Sequence, residues 1–147
     1  MDWVVKTADE SVTSSGSVQS DDHLFISVGV NSRYAVDGLI IYEAHTTGDF
    51  MFGWLAPSGA TFGWLVDVGD PAGTSTYMAV ARQWTTGAGV VTAPGLGAGA
   101  LLTFPVRGLL TTAGSSGSLQ FRWGQGTSHA TPTIVRAGSF LRLHKIA

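Results

Sequence analysis

Short apolar runs, each closed by glycine, serine, aspartate or proline, recur along all 147 residues of the chain. Within these runs, apolar residues either alternate with polar ones or follow one another without interruption, and both patterns are typical of β-strands. No window of about eleven residues carries an apolar stripe at helical spacing with a capping residue before it. The chain is therefore predicted to be all-β.

The predicted strands follow the apolar runs from one end of the chain to the other. They are Trp3–Thr7, Ser11–Val18, Leu24–Val30, Tyr34–Glu43, Asp49–Leu55, Thr61–Val68, Thr76–Trp84, Gly89–Thr92, Leu101–Thr112, Ser118–Gly126 and Ile134–Ile146.

Many short strands in one chain favour two packed antiparallel sheets, so we predict a single-domain β-sandwich of jelly-roll type over residues 1–147. Composition agrees with this fold class, because only 12% of the residues are charged. That is about half the usual share, while β-branched, aromatic and turn-forming residues are abundant. Residues 1–8 are assigned either to the first strand or to an N-terminal arm.

The tetrapeptide Phe-Gly-Trp-Leu occurs at Phe52–Leu55 and again at Phe62–Leu65, around the sequence Pro57-Ser-Gly. Proline presets its own φ and glycine tolerates a positive φ, so this centre is typical of a tight turn. We predict that the two copies form one hairpin, Asp49–Val68. Each indole then lies across from a glycine of the other strand, Trp54 opposite Gly63 and Trp64 opposite Gly53.

Charge and targeting patterns argue against several classes of partner. The net charge of −2 provides no basic patch for nucleic acid or for an anionic membrane. The N-terminal sequence MDWVVKTADE lacks the basic and apolar regions of a signal peptide. Gln83–Val106 is uncharged, but clusters of glycine and proline break it into pieces too short to span a membrane. Cysteine is absent, which excludes disulfides and cysteine-ligated zinc.

Candidate catalytic and metal-binding groups are few and scattered. Asp21-Asp22-His23 offers carboxylates beside an imidazole, a set that can bind a cation, but a turn between strands is the favoured interpretation. Pro94–Ala100 is rich in glycine but lacks the lysine and the following helix of a phosphate-binding loop. No serine lies in a G-x-S-x-G elbow. We predict no metal, no cofactor and no enzymatic activity.

The chain has five tryptophans, a generous supply for its length. Trp54, Trp64 and Trp123 lie within apolar runs and are predicted to be core residues. Trp3 and Trp84 lie near polar or terminal sequence and are predicted to be surface or interface anchors. The apolar and aromatic content exceeds the need of a lone monomer, which indicates self-association.

Several segments taken together resemble a β-rich module of tailed-phage structural proteins, especially those of actinobacterial phages. The segments are Lys6–Ser15, Gln19–Asp22, Asn31–Tyr34, Tyr42–Ala44, Pro57–Ala60 with Trp64, Arg107–Thr112, Gly117–Trp123 and Arg136–Arg142. The module occurs in short virion proteins and as the terminal domain of fibre or minor tail proteins. The resemblance implies a non-enzymatic virion protein that forms a homotrimer.

The similarity begins at residue 6 and ends five residues before the last residue, leaving no room for a fibre shaft. We therefore expect a capsid decoration protein, made in the host cytoplasm, that binds the outer surface of the major capsid protein shell. The alternative is a receptor-binding or fibre-tip domain that recognises host cell-surface glycans.

The predicted contact residues for the shell or for other subunits are Trp3, Val4, Val5 and Trp84. The first three form an apolar tip that can add to a neighbouring sheet edge or fill a pocket. The alternative for them is that they are simply the first strand of the sandwich.

Overall fold

The computed structural model describes the backbone of residues 1–68, 78–85 and 89–147, and side chains in these ranges except those of residues 66–68 and 78–85. In that part of the chain every regular element is a β-strand, as predicted. The strands are β1 Asp2–Val5, β2 Glu10–Val12, β3 Gln19–Val28, β4 Arg33–Glu43, β5 Phe50–Leu55, β6 Thr61–Val68, β7 Met78–Thr85, β8 Val90–Ala93, β9 Leu102–Thr111, β10 Gly117–Gln125, β11 Thr133–Val135 and β12 Phe140–Lys145.

These strands form two antiparallel sheets. The larger sheet runs β1-β12-β4-β9-β6-β7, and β11 pairs with both β4 and β2. The smaller sheet runs β3-β10-β5-β8. Strands β11 and β12 both pair with β4, so they act as one strand interrupted by a turn at residues 136–139, where Gly138 has a φ of 92°. The single predicted strand Ile134–Ile146 is therefore divided.

The strand order is that of a jelly roll. Taking β1 with β2 and β11 with β12 as two interrupted strands, the larger sheet reads 1/2–11/12–4–9, and the smaller reads 3–10–5–8. The β6–β7 hairpin is inserted between β5 and β8 and extends the larger sheet past β9. Two four-stranded antiparallel sheets with chain crossings between them are the jelly-roll arrangement. The predicted antiparallel β-sandwich of jelly-roll type is confirmed.

The predicted hairpin Asp49–Val68 is wrong. The turn itself forms, with Gly59 at a φ of 77° and the Ala60 N–H donating to the Pro57 carbonyl at 3.0 Å. However, β5 pairs with β8 and β10 in the smaller sheet, while β6 pairs with β7 and β9 in the larger one. The segment between them thus crosses from one sheet to the other. Trp54 and Trp64 meet across the interior at 6.3 Å between ring centroids.

The strand β3 begins before its predicted start and includes Asp21-Asp22-His23, which sequence reasoning assigned to a turn. The register along β10 jumps from Gln120 opposite Phe25 to Arg122 opposite Ser20. Extra residues of β3 therefore form a bulge against β10, and such a bulge redirects side chains locally. As a result, Asp21 and Leu24 both point into the interior and are buried.

Aromatic rings fill the space between the sheets. Phe52 of the smaller sheet stacks on Phe104 of the larger one at 4.5 Å between centroids. Trp54, Trp64 and Trp123 are each at most 3% exposed, which confirms their prediction as core residues. Inward and outward side chains alternate along the strands, as expected for sheets with one face on the core.

Replacing Trp64 with alanine should lower the free energy of unfolding by about 3–5 kcal/mol, because a buried indole is lost and the sheets cannot fully close the space. Leu65→Ala is the matched control, since Leu65 is the next residue of β6 and is 46% exposed. Urea unfolding of both variants measures the difference. Equal effects of the two substitutions would contradict the described orientation of β6.

Candidate functional site

Three of the four side chains of the N-terminal strand are exposed, and the fourth faces the core. Trp3 is 56% exposed and Val5 is 48% exposed, whereas Val4 packs against the buried core. The alternation follows from the pairing of β1 with β12, because successive side chains of a strand point to opposite faces of its sheet. Residues 2–5 are thus the first strand of the sandwich. Only Trp3 and Val5 of the predicted apolar tip are available to a partner without unfolding that strand.

The Trp3 indole is held in a defined position at the surface. It stacks on Phe140 at 5.7 Å between centroids, and the Arg142 guanidinium carbon lies 5.1 Å from the indole centroid. Arg142 in turn donates from Nε to Asp37 Oδ1 at 2.8 Å. This hydrogen bond raises the pKa of Arg142 above its already high ordinary value, so the guanidinium stays charged beside the ring. A pre-positioned aromatic side chain loses little conformational freedom when it is covered by a partner.

Trp3 and Val5 continue into an apolar outer face of the larger sheet. The register aligns outward side chains of neighbouring strands in rows across the sheet. One row is entirely apolar and consists of Val5, Phe140, Leu39 and Pro105. The next row begins with Trp3, passes through Arg142, Asp37 and Arg107, and ends with Leu65. We call these two rows together the outer face.

The outer side of the smaller sheet is more polar along its central strand. There the outward side chains of β10 are Ser118, Gln120 and Arg122, and the exposed Phe25 of β3 and Leu55 of β5 lie on either side of Gln120. The outward side of a sandwich sheet is normally polar, and contiguous exposed apolar residues mark an interaction surface. In the smaller sheet the polar strand β10 separates the exposed apolar residues of its neighbours, whereas the row from Val5 to Pro105 is continuous, which makes the outer face the better candidate for binding a macromolecule.

Trp84, the remaining predicted contact residue, lies on β7 opposite Phe62 of β6. The side chains of β7 are outside the described part of the structure, so the surface role of Trp84 stays a prediction. Among the described residues, no helix has the length and apolarity that crossing a membrane requires.

A second candidate group, a largely buried cluster of charged side chains, lies where β1 ends. The Lys6 side chain is fully buried, and its Nζ lies 2.7 Å from Glu10 Oε2 and 2.8 Å from Asp21 Oδ2. The same nitrogen is 3.4 Å from His23 Nδ1. Lys6 directly follows β1 and Glu10 is the first residue of β2, and both strands are part of the larger sheet. Asp21 lies on β3 of the smaller sheet. The cluster therefore joins the two layers of the sandwich.

Each oxygen of the Asp21 carboxylate has its own set of donors. Oδ1 accepts hydrogen bonds from the backbone N–H groups of His23 at 2.9 Å and Leu24 at 2.8 Å. Oδ2 accepts from Trp123 Nε1 at 3.0 Å in addition to Lys6. Burial raises the pKa of Asp21, but the hydrogen bonds from Lys6 and from the two backbone groups outweigh it, so the pKa lies below its ordinary value. Asp21 is an ionised carboxylate in this state.

The same cluster is the candidate cation site of the described residues. Glu10, Asp21 and His23 each place one ligand atom within 4.8 Å of the others. Lys6 Nζ is within contact distance of all three side chains. The Lys6 ammonium thus occupies the position between the two carboxylates that a bound cation would take.

Sequence reasoning identified Asp21 and His23 as a possible group but missed Lys6 and Glu10. The sequence contains only a weak signal for their contact with Asp21: Lys6 is one of two lysines in the chain, and Glu10 follows it by four residues. The distance between Lys6 and Asp21 along the sequence, 15 residues, gives no hint of contact. Only the packing of β1 and β2 over β3 brings these side chains together.

Comparison with known proteins gives no family assignment. No family model matches the chain, and no curated protein matches it. Among solved structures, an infectious bursal disease virus structure (Gt strain) matches with a TM-score of 0.23 and 14% identity, over 99% of this chain and 42% of the other. A VP2 subviral particle of the same virus matches with a TM-score of 0.25 and 13% identity, over 99% of this chain and 41% of the other.

The chain thus spans less than half the length of the solved proteins it matches. These proteins are viral capsid proteins. At such TM-scores the likeness carries no argument about what this chain binds.

The division of β1 into outward and inward residues predicts different effects of two neighbouring substitutions. Val4→Asp places a carboxylate against the core and should lower the melting temperature markedly. Trp3→Ser removes a ring that is more than half exposed and should cost about 1 kcal/mol or less. Thermal unfolding followed by circular dichroism compares them. A larger loss from Trp3→Ser than from Val4→Asp would contradict the observed orientation of β1.

Proposed function

We propose that this chain is a non-enzymatic structural protein of a tailed-phage virion. In this proposal it decorates the capsid by binding the outer surface of the major capsid protein shell. The observation that carries the proposal is the apolar outer face of the larger sheet, with the ordered indole of Trp3 at its margin. The sequence resemblance to phage structural modules supports the same conclusion.

The outer face suits attachment to a broad surface. It extends from Val5 on the edge strand across β12 and β4 to Pro105 on β9. Charged residues are confined to the middle of the adjacent row, where Arg142 and Asp37 neutralise each other at 2.6 Å and Arg107 carries one further positive charge. Covering this face would bury apolar area without leaving an unpaired charge from that pair, and such burial drives association.

The edge strand β1 adds a second means of attachment. In the described part of the structure it pairs with β12 on one side, and it is the terminal strand of its sheet. An extended segment of a shell protein can pair with such an edge through backbone hydrogen bonds, while Trp3 supplies an anchoring side chain. A protein that binds only the assembled shell stabilises it by mass action.

The test is the position of the protein on intact particles of the phage that encodes it, followed by a binding assay. Purified chain should co-sediment with capsids that lack it. The variant Trp3→Ser/Val5→Ser should bind at least about tenfold more weakly, because an aromatic anchor residue commonly contributes about 2 kcal/mol. Phe25→Ser, on the opposite side of the sandwich and also exposed, is the matched control and should bind normally.

Labelling of whole particles distinguishes the capsid from the tail. Antibody against the chain should decorate the head. Label found at the tail tip alone would overturn the capsid assignment and support the receptor-binding function. In that case cell-wall glycans should change the fluorescence of the exposed Trp3, which they should not do for a decoration protein.

The proposed assembly is a homotrimer. Light scattering of the purified chain should then give three times the chain mass of 15.3 kDa. A mass of 15.3 kDa at micromolar concentration would contradict a trimer that is stable in solution.

A further inference from the structure

We propose that Lys6 and Asp21 become joined by an intramolecular amide bond between Lys6 Nζ and Asp21 Cγ, with Glu10 as the group that transfers protons. The bond would form within the folded chain and would link the end of β1 to β3. The proposal is independent of the proposed role on the capsid, because it concerns chemistry inside one chain.

The first observation is the position of the nucleophile. Lys6 Nζ is 2.8 Å from Asp21 Oδ2, and both side chains have zero exposure to solvent. Two groups held in contact inside a fold react as if at a very high effective concentration. The amine must shift only from the carboxylate oxygen to the neighbouring carbon of the same group in order to attack it.

The second observation is the activation of the carboxyl group. Asp21 Oδ1 accepts two backbone N–H groups, those of His23 and Leu24. Two converging backbone donors at one oxygen form the arrangement that stabilises the oxyanion of a tetrahedral intermediate. The Trp123 indole N–H donates to Oδ2, the oxygen that would leave. Donors on both oxygens withdraw electron density from Cγ and fix the orientation of the carboxyl plane.

The third observation is a base in the right place. Glu10 Oε2 is 2.7 Å from Lys6 Nζ. Its carboxylate is oriented by Gln19 Nε2, which donates to Oε1 at 2.7 Å, and by the Asp22 N–H, which donates to Oε2 at 3.1 Å. Glu10 also lies within 4.8 Å of an Asp21 oxygen, so a proton taken from the amine can be delivered to the leaving group.

The reaction balances without any other reagent. One proton moves from the Lys6 ammonium through Glu10 to Asp21 Oδ2, so that a neutral amine faces a protonated carboxyl group. The amine then forms a bond to Cγ while an electron pair moves onto Oδ1, and Oδ2 receives a second proton from the nitrogen. The Cγ–Oδ2 bond breaks, one water leaves, and the carbonyl at Oδ1 forms again. The nitrogen keeps its last hydrogen, and Glu10 is again a carboxylate.

Burial favours the product. The unreacted cluster keeps a lysine ammonium and an aspartate carboxylate out of water, and the desolvation of such a pair is costly. The amide removes one positive and one negative charge from the interior. Its carbonyl oxygen, Oδ1, would keep the two backbone donors that it has in the unreacted state. Water is excluded from both reacting side chains, which protects the amide against hydrolysis.

Mass spectrometry of the purified, denatured full-length chain tests the proposal. The chain should be lighter than its sequence by the mass of one water. Trypsin should not cleave after an acylated lysine, so residues 1–33 should appear as one peptide lacking one water. Without the bond, trypsin releases residues 1–6 and 7–33 separately at full mass.

Single substitutions test the roles of Glu10 and Lys6 in forming the bond. Glu10→Gln keeps the shape of the side chain but cannot accept the proton, so the chain should stay at full mass and be cleaved after Lys6. Lys6→Arg should also stay at full mass. Lys145→Arg is the matched control, since Lys145 is the only other lysine and is exposed. It should lose one water as the wild type does.

Formation of a succinimide at an aspartate also removes one water, but the peptide map distinguishes it from the proposed amide. A succinimide leaves Lys6 accessible to trypsin, and a succinimide at Asp37 would lie outside peptide 1–33. Full mass in the folded wild-type chain, with release of residues 1–6, would overturn the proposal. Loss of water in peptide 1–33 of Glu10→Gln would overturn the role of Glu10. If Lys6→Arg fails to fold, the wild-type peptide map still decides whether the bond exists.

Discussion

The structure depends on an aromatic layer between two antiparallel sheets. Phe50 and Phe52 of the smaller sheet both pack on Phe104 of the larger sheet. Phe50 also stacks on Trp123 of its own sheet. With few charges and no disulfide, the chain relies on the burial of these large side chains for most of its stability. The layer also sets the outward positions, because each ring that points inward directs its neighbours along the strand outward.

Two features of the molecule depart from what a sandwich needs in order to fold. One is the apolar row from Val5 to Pro105 on the solvent side of the larger sheet. The other is the buried group of Lys6, Glu10 and Asp21, in which charges replace the apolar contacts expected between layers. Such departures are costly for stability alone, so they are where function is expected. We propose binding as the role of the first and covalent reinforcement between the layers as the role of the second.

Most of the strands and most of the core followed from local pattern, but the pairing of strands did not, and of the predicted strand Ser11–Val18 only the first two residues are part of a strand. Trp54 and Trp64 were correctly predicted to be buried, yet as members of one hairpin. A Pro-Ser-Gly turn can join neighbouring strands of one sheet or carry the chain to the opposite sheet, and the residues near the turn are the same in both cases. Likewise, the sequence predicts a turn at Asp21, because aspartate and histidine are common in turns. In the structure it lies in a bulge whose existence depends on β10, about 100 residues further along the chain.

The sequence alone determined the all-β class, the jelly-roll-like sandwich and the burial of Trp54, Trp64 and Trp123, because alternation and turn chemistry are local properties of the chain. Only the tertiary structure decided that Val4 faces the core while Trp3 and Val5 face solvent. It alone also placed the Lys6 ammonium in contact with Asp21. Both outcomes depend on which strands become neighbours. That choice is made by the free energy of packing the whole aromatic layer, to which residues far apart in sequence contribute together.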